Sequence, residues 1–318
     1  MVNALPSSAG FGAALQAAHD AAGAQHYPEG TLYVVATPIG NLADITLRAL
    51  HVLAQVADAI ACEDTRHTQQ LLRAYGIDRP GAQMLAAHQH NEAEAAQVVV
   101  ARLQQGQRIA YVSDAGTPGV SDPGARLVAA VRAARLRVLP LPGASSVTTL
   151  VGASGLVGGE AEGTGFVFAG FLPNKAAERE RAIQALAAEA RPVVLLEAPH
   201  RIEALARALA VLGAREVTVG RELTKQFEEI DTVPAKALAS WLSASPQRTR
   251  GEFALVLHPL AEAADGSGPD AEAQRVLRLL LAELPTKAAV KLAADITKAP
   301  RNALYALALQ WKGEDQSA

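Results

Sequence analysis

A loop of small and acidic residues offers the clearest chemistry in this chain. Residues 113–124 read Ser-Asp-Ala-Gly-Thr-Pro-Gly-Val-Ser-Asp-Pro-Gly and follow the apolar run 108–112. Glycines and prolines let a backbone approach a ligand closely and hold a fixed shape, and open α/β sheets bind ligands at the carboxyl ends of their strands. Two aspartates favour a ligand with a cationic centre or hydroxyl donors over a phosphate. We therefore predict a binding loop for a polar small molecule, with helix capping by Asp114 and Asp122 as the alternative.

Charged residues follow three further apolar runs. Residues 62–68, 197–201 and 220–225 read Cys-Glu-Asp-Thr-Arg-His-Thr, Glu-Ala-Pro-His-Arg and Gly-Arg-Glu-Leu-Thr-Lys. Carboxylates and imidazoles transfer protons, and guanidinium groups bind phosphates. Because each segment comes directly after a predicted strand, the three together predict one shared, charged cleft. Two alternatives stay open: Asp64 caps a helix, or these acids and bases pair with each other as structural salt bridges.

The segment 285–312 near the end of the chain is basic. Its cations outnumber its one acid, Asp295, and are Lys287, Lys291, Lys298, Arg301 and Lys312. The apolar period on either side of Pro300 predicts a helix, a short turn and a second helix, with an inner face formed by Leu292, Ile296, Leu304 and Leu307. A helix-turn-helix-like module that contacts nucleic-acid phosphates fits this charge. A small solvated helical hairpin is the alternative.

Composition narrows the class of protein. Half of the 318 residues are apolar but only 4% are aromatic, which predicts an aliphatic core for at least two domains. A net charge of −3 means that a polyanion must be bound by a local patch. The single cysteine, Cys62, excludes an internal disulfide and suits the cytoplasm. No apolar run reaches membrane-spanning length. His88 and His90 lack the partner set of a metal site, so no metal is predicted.

Apolar runs bounded by glycine, proline and polar residues predict strands that alternate with helices. Strands are expected at 31–36, 59–62, 108–112, 137–141, 166–169, 193–197, 216–221 and 253–258. Helices are expected at 44–56, 92–104, 125–134, 176–190, 201–212, 234–242 and 271–310, the last interrupted at Pro285 and Pro300. This alternation predicts an α/β fold with two α/β subdomains, mostly parallel or mixed sheets, and a small C-terminal helical module.

The predicted organisation divides the chain into successive parts. Residues 1–27 are rich in alanine and serine and lack a secretion signal, so residues 1–28 are expected to form a loosely ordered, flexible extension. The subsequent parts are an α/β subdomain at 29–150, a second at 151–260, a linker at 261–270 and the helical module at 271–318. The glycine-rich and acidic segment 157–165 is expected to be a loop or hinge.

Several motifs in one order carry a family resemblance. They are residues 37–42, 63–66, 113–118, 142–146, 197–201, 220–225 and 301–305. With them, about residues 30–311 resemble the bacterial family of ribosomal RNA small subunit methyltransferase I, in the tetrapyrrole methylase superfamily. The departures are small: Leu195 and Leu196 stand where the family often has aromatic residues, and Asn174 stands where a basic residue is common before Lys175.

The resemblance implies an activity and its partners. The methyl donor would be S-adenosylmethionine, and the acceptor would be a cytidine ribose 2′-hydroxyl in the decoding region of 16S rRNA in the small ribosomal subunit. It also implies a cytoplasmic homodimer whose two α/β subdomains hold the cofactor in the cleft between them. Two other functions stay open: a methylase of a tetrapyrrole or another small acceptor, and a non-catalytic RNA-binding protein.

The motifs also assign expected roles to particular residues. The cofactor-binding residues are expected to be Thr37, Pro38, Gly40, Asp114, Gly116, Thr117, Ser121, Ser145, Leu172 and Gly251. Glu63 and Glu222 are the first candidates for the general base, and Arg66 is expected to assist catalysis. The RNA is expected to contact His200, Arg201, Lys225, Lys287, Lys291 and Arg301.

Overall fold

The computed structural model describes residues 11–88, 91–121, 124–156, 165–259 and 271–315. The chain divides into two compact units, Met1–Leu260 and Ala261–Ala318. Some expectations fall wholly or mainly outside the described residues. They concern residues 1–10, His90, Asp122, the hinge at 157–165, the linker at 261–270 and the side chain of Lys312.

The first sheet is entirely parallel. Its strands are β1 (Thr31–Val35), β2 (Ala59–Cys62), β3 (Met84–Ala86), β4 (Ile109–Val112) and β5 (Arg137–Leu141). They lie in the order β3-β2-β4-β1-β5. Every residue of β2 and β4 is buried, as expected for inner strands that helices cover on both faces. Because all strands run the same way, the loops that follow them leave the sheet at one edge.

Helices pack on both faces of this first sheet. They are α1 (Gly12–Ala22), α2 (Leu47–His51), α3 (Thr65–Ala74), α4 (Glu92–Gln104) and α5 (Ala125–Ala133). Successive strand residues point to opposite faces, so Tyr33 enters the core beneath α2, whereas Leu32 enters the core that includes Leu103 and Leu127. These two aliphatic cores fix the strand ends from which the loops emerge.

The second sheet is mixed. Its strands are β6 (Val167–Phe171), β7 (Val193–Glu197), β8 (Glu216–Arg221), β9 (Glu229–Pro234) and β10 (Phe253–Leu257), in the order β6-β7-β10-β8-β9. Only the β6–β7 pairing is parallel among these described strands. Four helices accompany this part of the described chain: α6 (Ser146–Ala153), α7 (Ala176–Ala187), α8 (Ile202–Leu209) and α9 (Leu238–Ser243). The predicted α/β fold class is confirmed.

The second unit consists of three helices in its described part, α10 (Ala271–Glu283), α11 (Thr286–Thr297) and α12 (Arg301–Asp315). Helix α10 ends before Pro285, α11 begins directly after it, and α12 begins directly after Pro300, so the two predicted interruptions are confirmed. The predicted inner face is half wrong. Leu304 is fully buried, but Leu292 and Ile296 are 41% and 61% exposed. The packed face of α11 consists of Ala289, Val290, Ala293 and Ala294, small residues that let the helices approach closely.

Three further expectations differ from the structure. The N-terminal region is not loose over its described part, because α1 buries Ala18 and Ala22 and Phe11 packs edge-on against Tyr75. The helix expected at 44–56 is broken into a 3-10 turn, α2 and a single π-helical turn. Pro234 ends strand β9 instead of starting a helix. Within the described part of the chain, each helix is too short or too polar to cross a lipid bilayer.

Candidate active site

The loops after β1 and β4 are joined by backbone hydrogen bonds. The Thr37 N–H donates to the Gly116 carbonyl at 2.9 Å, and the Gly116 N–H donates back to the Thr37 carbonyl at 3.0 Å. The Thr37 hydroxyl also donates to the Ser113 carbonyl at 3.2 Å. Two segments separated by more than seventy residues meet because β1 and β4 are neighbours in the sheet. This is the kind of position at which parallel sheets hold ligands.

The loops after β5 and β2 extend the same edge. The Thr117 hydroxyl donates to the Ala144 carbonyl at 3.0 Å, which ties the β4 loop to the β5 loop. On the other side, the Asp114 carboxylate accepts the Asp64 N–H at 3.2 Å. The four small-residue and acidic segments predicted from the sequence are therefore neighbours in the structure.

Loops from the second sheet meet this edge. The Asn41 N–H donates to the Thr224 hydroxyl at 3.1 Å. A Cβ at Gly40 would lie 2.4 Å from Cγ of Lys225, and one at Gly170 would lie 3.1 Å from Oγ of Ser121. The first sheet's loops and the second sheet's loops thus pack against each other without room for additional atoms at these positions.

A cavity of about 320 Å³ lies between the two sets of loops. The predicted residues Gly116, Thr117, Ser121 and Ser145 line it. The other lining residues were not named as site residues, although Glu197 and Leu223 lie in the segments 197–201 and 220–225 that were predicted to share a cleft. Most of them come from the second sheet and the loops beside it: Ile39, Val120, Phe171, Leu196, Glu197, Leu223, Glu252, Phe253 and Ala254. Their side chains are mostly apolar, so from sequence they read as ordinary core residues.

Glu197 is the most deeply buried acid in the wall of this cavity, with 2% of its surface exposed. Its Oε1 lies 2.9 Å from Nε of Arg201 and accepts the Ala198 N–H at 2.9 Å. Its buried Oε2 has no hydrogen-bond partner among the described residues. A buried carboxylate oxygen without a donor is costly unless a ligand supplies one. Glu197 therefore places a negative charge and an unsatisfied acceptor within the wall of the cavity.

Glu63 and Asp114 form an acidic pair beside the β2 and β4 loops. Burial, together with the nearby Asp114 charge, raises the pKa of Glu63 above its usual range. The charge of His88, in the loop after β3, acts to lower the pKa of Glu63. Asp64 accepts the N–H groups of Arg66 and His67 at 2.7 and 3.2 Å, so the helix-cap alternative holds for Asp64. Glu63 is therefore a half-buried carboxylate beside the β2 and β4 loops, and among the described residues it caps no helix in the way that Asp64 does.

Glu222 lies beside a lysine, whereas Glu63 lies beside another acid. Its Oε1 accepts Nζ of Lys225 at 2.8 Å and the Glu252 N–H at 3.1 Å. Burial acts to raise the pKa of Glu222, but these hydrogen bonds outweigh it and leave the pKa below its usual value. Lys225 also contacts the Glu252 carboxylate at 2.9 Å. For Glu222 with Lys225, as for Glu197 with Arg201, the salt-bridge alternative describes the geometry.

The other predicted site residues of the larger unit are all described, and they do not line the cavity. Pro38 is buried beside Thr37, and Gly251 has φ 88° with Glu222 packed against it. The carbonyl of the buried Leu172 accepts a hydrogen bond from the Arg201 guanidinium. Arg66 and His200 are exposed. Three residues lie in the second unit, Lys287, Lys291 and Arg301, and Arg301 pairs with Asp295 at 2.9 Å.

Comparison with known proteins decides the family. Residues 31–239 match the family model described as Tetrapyrrole (Corrin/Porphyrin) Methylases, and residues 267–312 match the one described as RsmI C-terminal HTH domain. The chain belongs to the tetrapyrrole methylase family. The methyltransferase class predicted from the motifs is confirmed by this membership.

Curated relatives match along most of their length. Ribosomal RNA small subunit methyltransferase I from Neisseria meningitidis serogroup B is 46% identical over 286 residues, which are 90% of this chain and 95% of the relative. The protein of the same name from Escherichia coli O157:H7 is 46% identical over 287 residues, 90% of this chain and 96% of the relative. The resemblance predicted from the motifs is thereby confirmed.

Solved structures share the fold at low identity. The cobalamin biosynthetic enzyme cobalt precorrin-4 methyltransferase has a TM-score of 0.53 and 18% identity, covering 73% of this chain and 98% of that chain. Diphthine synthase has a TM-score of 0.53 and 13% identity, covering 72% of this chain and 90% of that chain. At such identities the likeness establishes the fold alone.

Proposed function

We propose that this protein transfers a methyl group from S-adenosylmethionine to a cytidine ribose 2′-hydroxyl in the decoding region of 16S rRNA. The observation that carries the proposal is the match to rRNA small subunit methyltransferase I relatives over nine-tenths of the chain, including the C-terminal helices. A small-molecule methylase has no use for an exposed set of cations such as Lys287 and Lys291 on a separate helical unit. The acceptor is therefore an RNA in this proposal.

The cavity suits S-adenosylmethionine. When bound, this cofactor supplies a methyl group already activated by its sulfonium. Glu197 in the cavity wall supplies a negative charge that favours a cationic ligand, and the hydroxyls of Ser121 and Ser145 offer polar partners. Apolar side chains such as Leu223 provide the opposite wall and exclude water. Gly116 and Thr117 bring their backbone close to the ligand.

Glu63 is the proposed general base. The 2′-hydroxyl is a weak acid, so its proton must be accepted as the new oxygen–carbon bond forms. A carboxylate with a raised pKa is a stronger base than one with a lowered pKa, which favours Glu63 over Glu222. Asp114 keeps its place beside Glu63 through its hydrogen bond to Asp64. Orientation of the two reacting groups contributes up to about 7–11 kcal/mol in favourable cases.

Charged residues around the cleft and in the second unit are proposed to hold the RNA. Arg66 and His200 are exposed near the strand ends and are free to meet phosphates. Lys225 and Arg201 are also proposed to contact the RNA at the rim of the cleft, while they remain paired with Glu222 and Glu197. Lys287, Lys291 and Arg301 are proposed to bind phosphates through the helical unit.

The protein is further proposed to work in the cytoplasm as a homodimer. Phe168 and Phe171 on the edge strand β6 are 37% and 49% exposed, and an edge strand with exposed aromatic residues favours a protein contact. Light scattering of the purified protein should give twice the mass of one chain. A monomer at all concentrations would contradict this part of the proposal.

Methyl transfer to small ribosomal subunits tests the whole proposal. Subunits from cells that lack this protein are incubated with the purified protein and labelled S-adenosylmethionine, and ribose methylation is mapped. We expect label on one cytidine 2′-oxygen of 16S rRNA. Label on a small molecule but not on RNA would favour the tetrapyrrole alternative. Cofactor binding without any transfer would favour a non-catalytic RNA-binding protein.

A further inference from the structure

Glu92 is a buried acid whose carboxylate accepts hydrogen bonds from the start of α5. Only 7% of its surface is exposed, although it lies in the first turn of α4. Its Oε1 accepts the N–H groups of Gly124 at 2.9 Å, Arg126 at 3.0 Å and Leu127 at 3.4 Å. These groups belong to Gly124 and to the first turn of α5. A side chain from another helix therefore caps α5.

A second contact fixes the same point from the other side. Gly124 has φ 123°, and a Cβ there would lie 2.3 Å from Cε1 of Tyr111. Tyr111 is buried in the centre of β4, so it cannot move aside. Gly124 is held between the Tyr111 ring and the Glu92 carboxylate.

The beginning of the loop is fixed as firmly as its end. Gly116 is paired with Thr37 through two backbone hydrogen bonds, and the Ser113 hydroxyl donates to the Ala115 and Gly116 carbonyls at 3.2 and 3.3 Å. Ser121 lies between the two fixed ends and lines the cavity with a left-handed φ of 65°. A non-glycine residue keeps such a backbone only when its surroundings determine it.

We infer that Glu92 is a positioning residue for the cofactor site. It does not line the cavity; it sets the shape of the Val120–Ser121 wall by holding Gly124 and the start of α5. The inference rests on the proposed function, because it assumes that this cavity binds S-adenosylmethionine. A plain helix cap would stabilise α5 without any effect on the cavity.

Calorimetric titration with S-adenosylmethionine separates these two roles. Glu92→Ala should raise the dissociation constant by about 10-fold to 100-fold, since small misplacements of a binding wall have effects of this size. Glu92→Gln keeps the Oε1 acceptor and should bind within about threefold of the wild type, because all three N–H groups keep their partner. At saturating cofactor, the single-turnover rate of Glu92→Ala should stay near the wild-type rate, since Glu92 touches no reacting group.

Asp58→Ala is the matched control. Asp58 also accepts a backbone N–H, from Arg108 at 2.7 Å, but at the opposite edge of the same sheet. Asp58→Ala should lower the unfolding temperature and leave the dissociation constant for S-adenosylmethionine unchanged. Should Glu92→Ala fail to fold, Glu92→Asp replaces it, because the shorter side chain cannot reach all three donors.

The possible results are distinguishable. Wild-type affinity in Glu92→Ala, or an equal loss in Asp58→Ala, would overturn the inference. So would a loss in Glu92→Gln as large as that in Glu92→Ala. If the wild-type protein itself binds no S-adenosylmethionine, the proposed function fails first.

Discussion

The Glu197 carboxylate, at the end of β7, and the Arg201 guanidinium, just before α8, form an ion pair of 2.9 Å at the wall of the cavity. Arg201 also donates to the Leu172 carbonyl just beyond β6. One arginine thus joins the ends of two neighbouring strands and fixes the acid in the cavity wall. Sequence reasoning assigned Arg201 to the RNA; in the structure its guanidinium contacts Glu197 and the Leu172 carbonyl at the cavity wall.

Removing Arg201 should cost more stability than removing a surface arginine. Arg201→Ala leaves the buried Glu197 without its countercharge, and breaking a buried pair in this way typically costs about 3–5 kcal/mol. Arg207→Ala, on the helix α8 that follows Arg201, is the control, because Arg207 and Glu203 are both exposed and 3.8 Å apart. That control should lose less than about 1 kcal/mol. Urea unfolding measures both, and equal losses would contradict the prediction.

Replacement of Glu63 should abolish the pH dependence of methyl transfer. Only the ionised carboxylate accepts a proton, so the wild-type single-turnover rate should rise with pH through a pKa above the usual glutamate value. Glu63→Gln should be slower by about 10²–10⁴-fold and flat with pH. Cofactor affinity, measured in parallel, should be unchanged. Wild-type rates in this variant would remove Glu63 from the mechanism.

The same substitution should stabilise the fold at neutral pH. A raised pKa means that the folded state disfavours the ionised carboxyl; the associated stability is complete below the unfolded-state pKa and is lost as the pH rises through the folded-state value. Glutamine never ionises, so Glu63→Gln should melt at a higher temperature than the wild type at pH 7 and show a smaller difference in acid. A lower melting temperature at pH 7 would argue against the raised pKa.

Gly40→Ala should disrupt the contact between the two sets of loops. The new Cβ would lie 2.4 Å from Lys225 Cγ and 3.0 Å from the Leu223 carbonyl oxygen, and Leu223 lines the cavity. We expect cofactor affinity to fall by about 10-fold or more, because the cavity wall must shift. Gly81→Ala is the control, since its Cβ meets nothing within 4 Å. Unchanged cofactor affinity in Gly40→Ala would show that the loops move to admit the new Cβ without disturbing the cavity.

The Cys62 thiol should be inert in the folded protein. Burial raises its pKa to about 11, so almost none of the reactive thiolate is present at pH 8. Iodoacetamide should label Cys62 only after the protein is unfolded in guanidinium chloride. Labelling of the native protein at the unfolded rate would contradict the buried position.

The C-terminal unit should control the salt dependence of RNA binding. Lys287 and Lys291 are both exposed on α11, and each phosphate contact contributes roughly 0.7–0.9 to the slope of log K against log salt concentration. Lys287→Ala with Lys291→Ala should therefore lower that slope by roughly 1 to 2. Lys236→Ala, an exposed lysine of the other unit, serves as control. Filter binding to 16S rRNA fragments over a salt series gives the slopes.

Strands were predictable where an apolar run ends sharply. The bounds of β2, β5, β7 and β8 match the prediction because each run is bounded by polar residues or a turn. Strand β9 was missed: it reads Glu-Ile-Asp-Thr-Val-Pro at the edge of its sheet, and its residues are half-buried or exposed. This edge strand is stabilised by its pairing with β8, and the local sequence pattern does not reveal that pairing.

The candidate site was predictable from its loops but not from its apolar wall. Small-residue loops such as 113–121 and the charged segments 197–201 and 220–225 stand out because each follows a strand end. Apolar lining residues such as Phe253 carry no local signal, since they look like core residues. Glu92 was missed for a related reason: an acid in the first turn of a helix usually faces solvent, and only the packing of α4 beside α5 turns it inward.

The cavity takes its walls from both sheets of the larger unit, from Ile39 to Ala254. A chain divided between the two sheets would leave each half with an open groove instead of a pocket. Such halves, expressed separately, should each be inactive, and methyl transfer should return only when they reassociate.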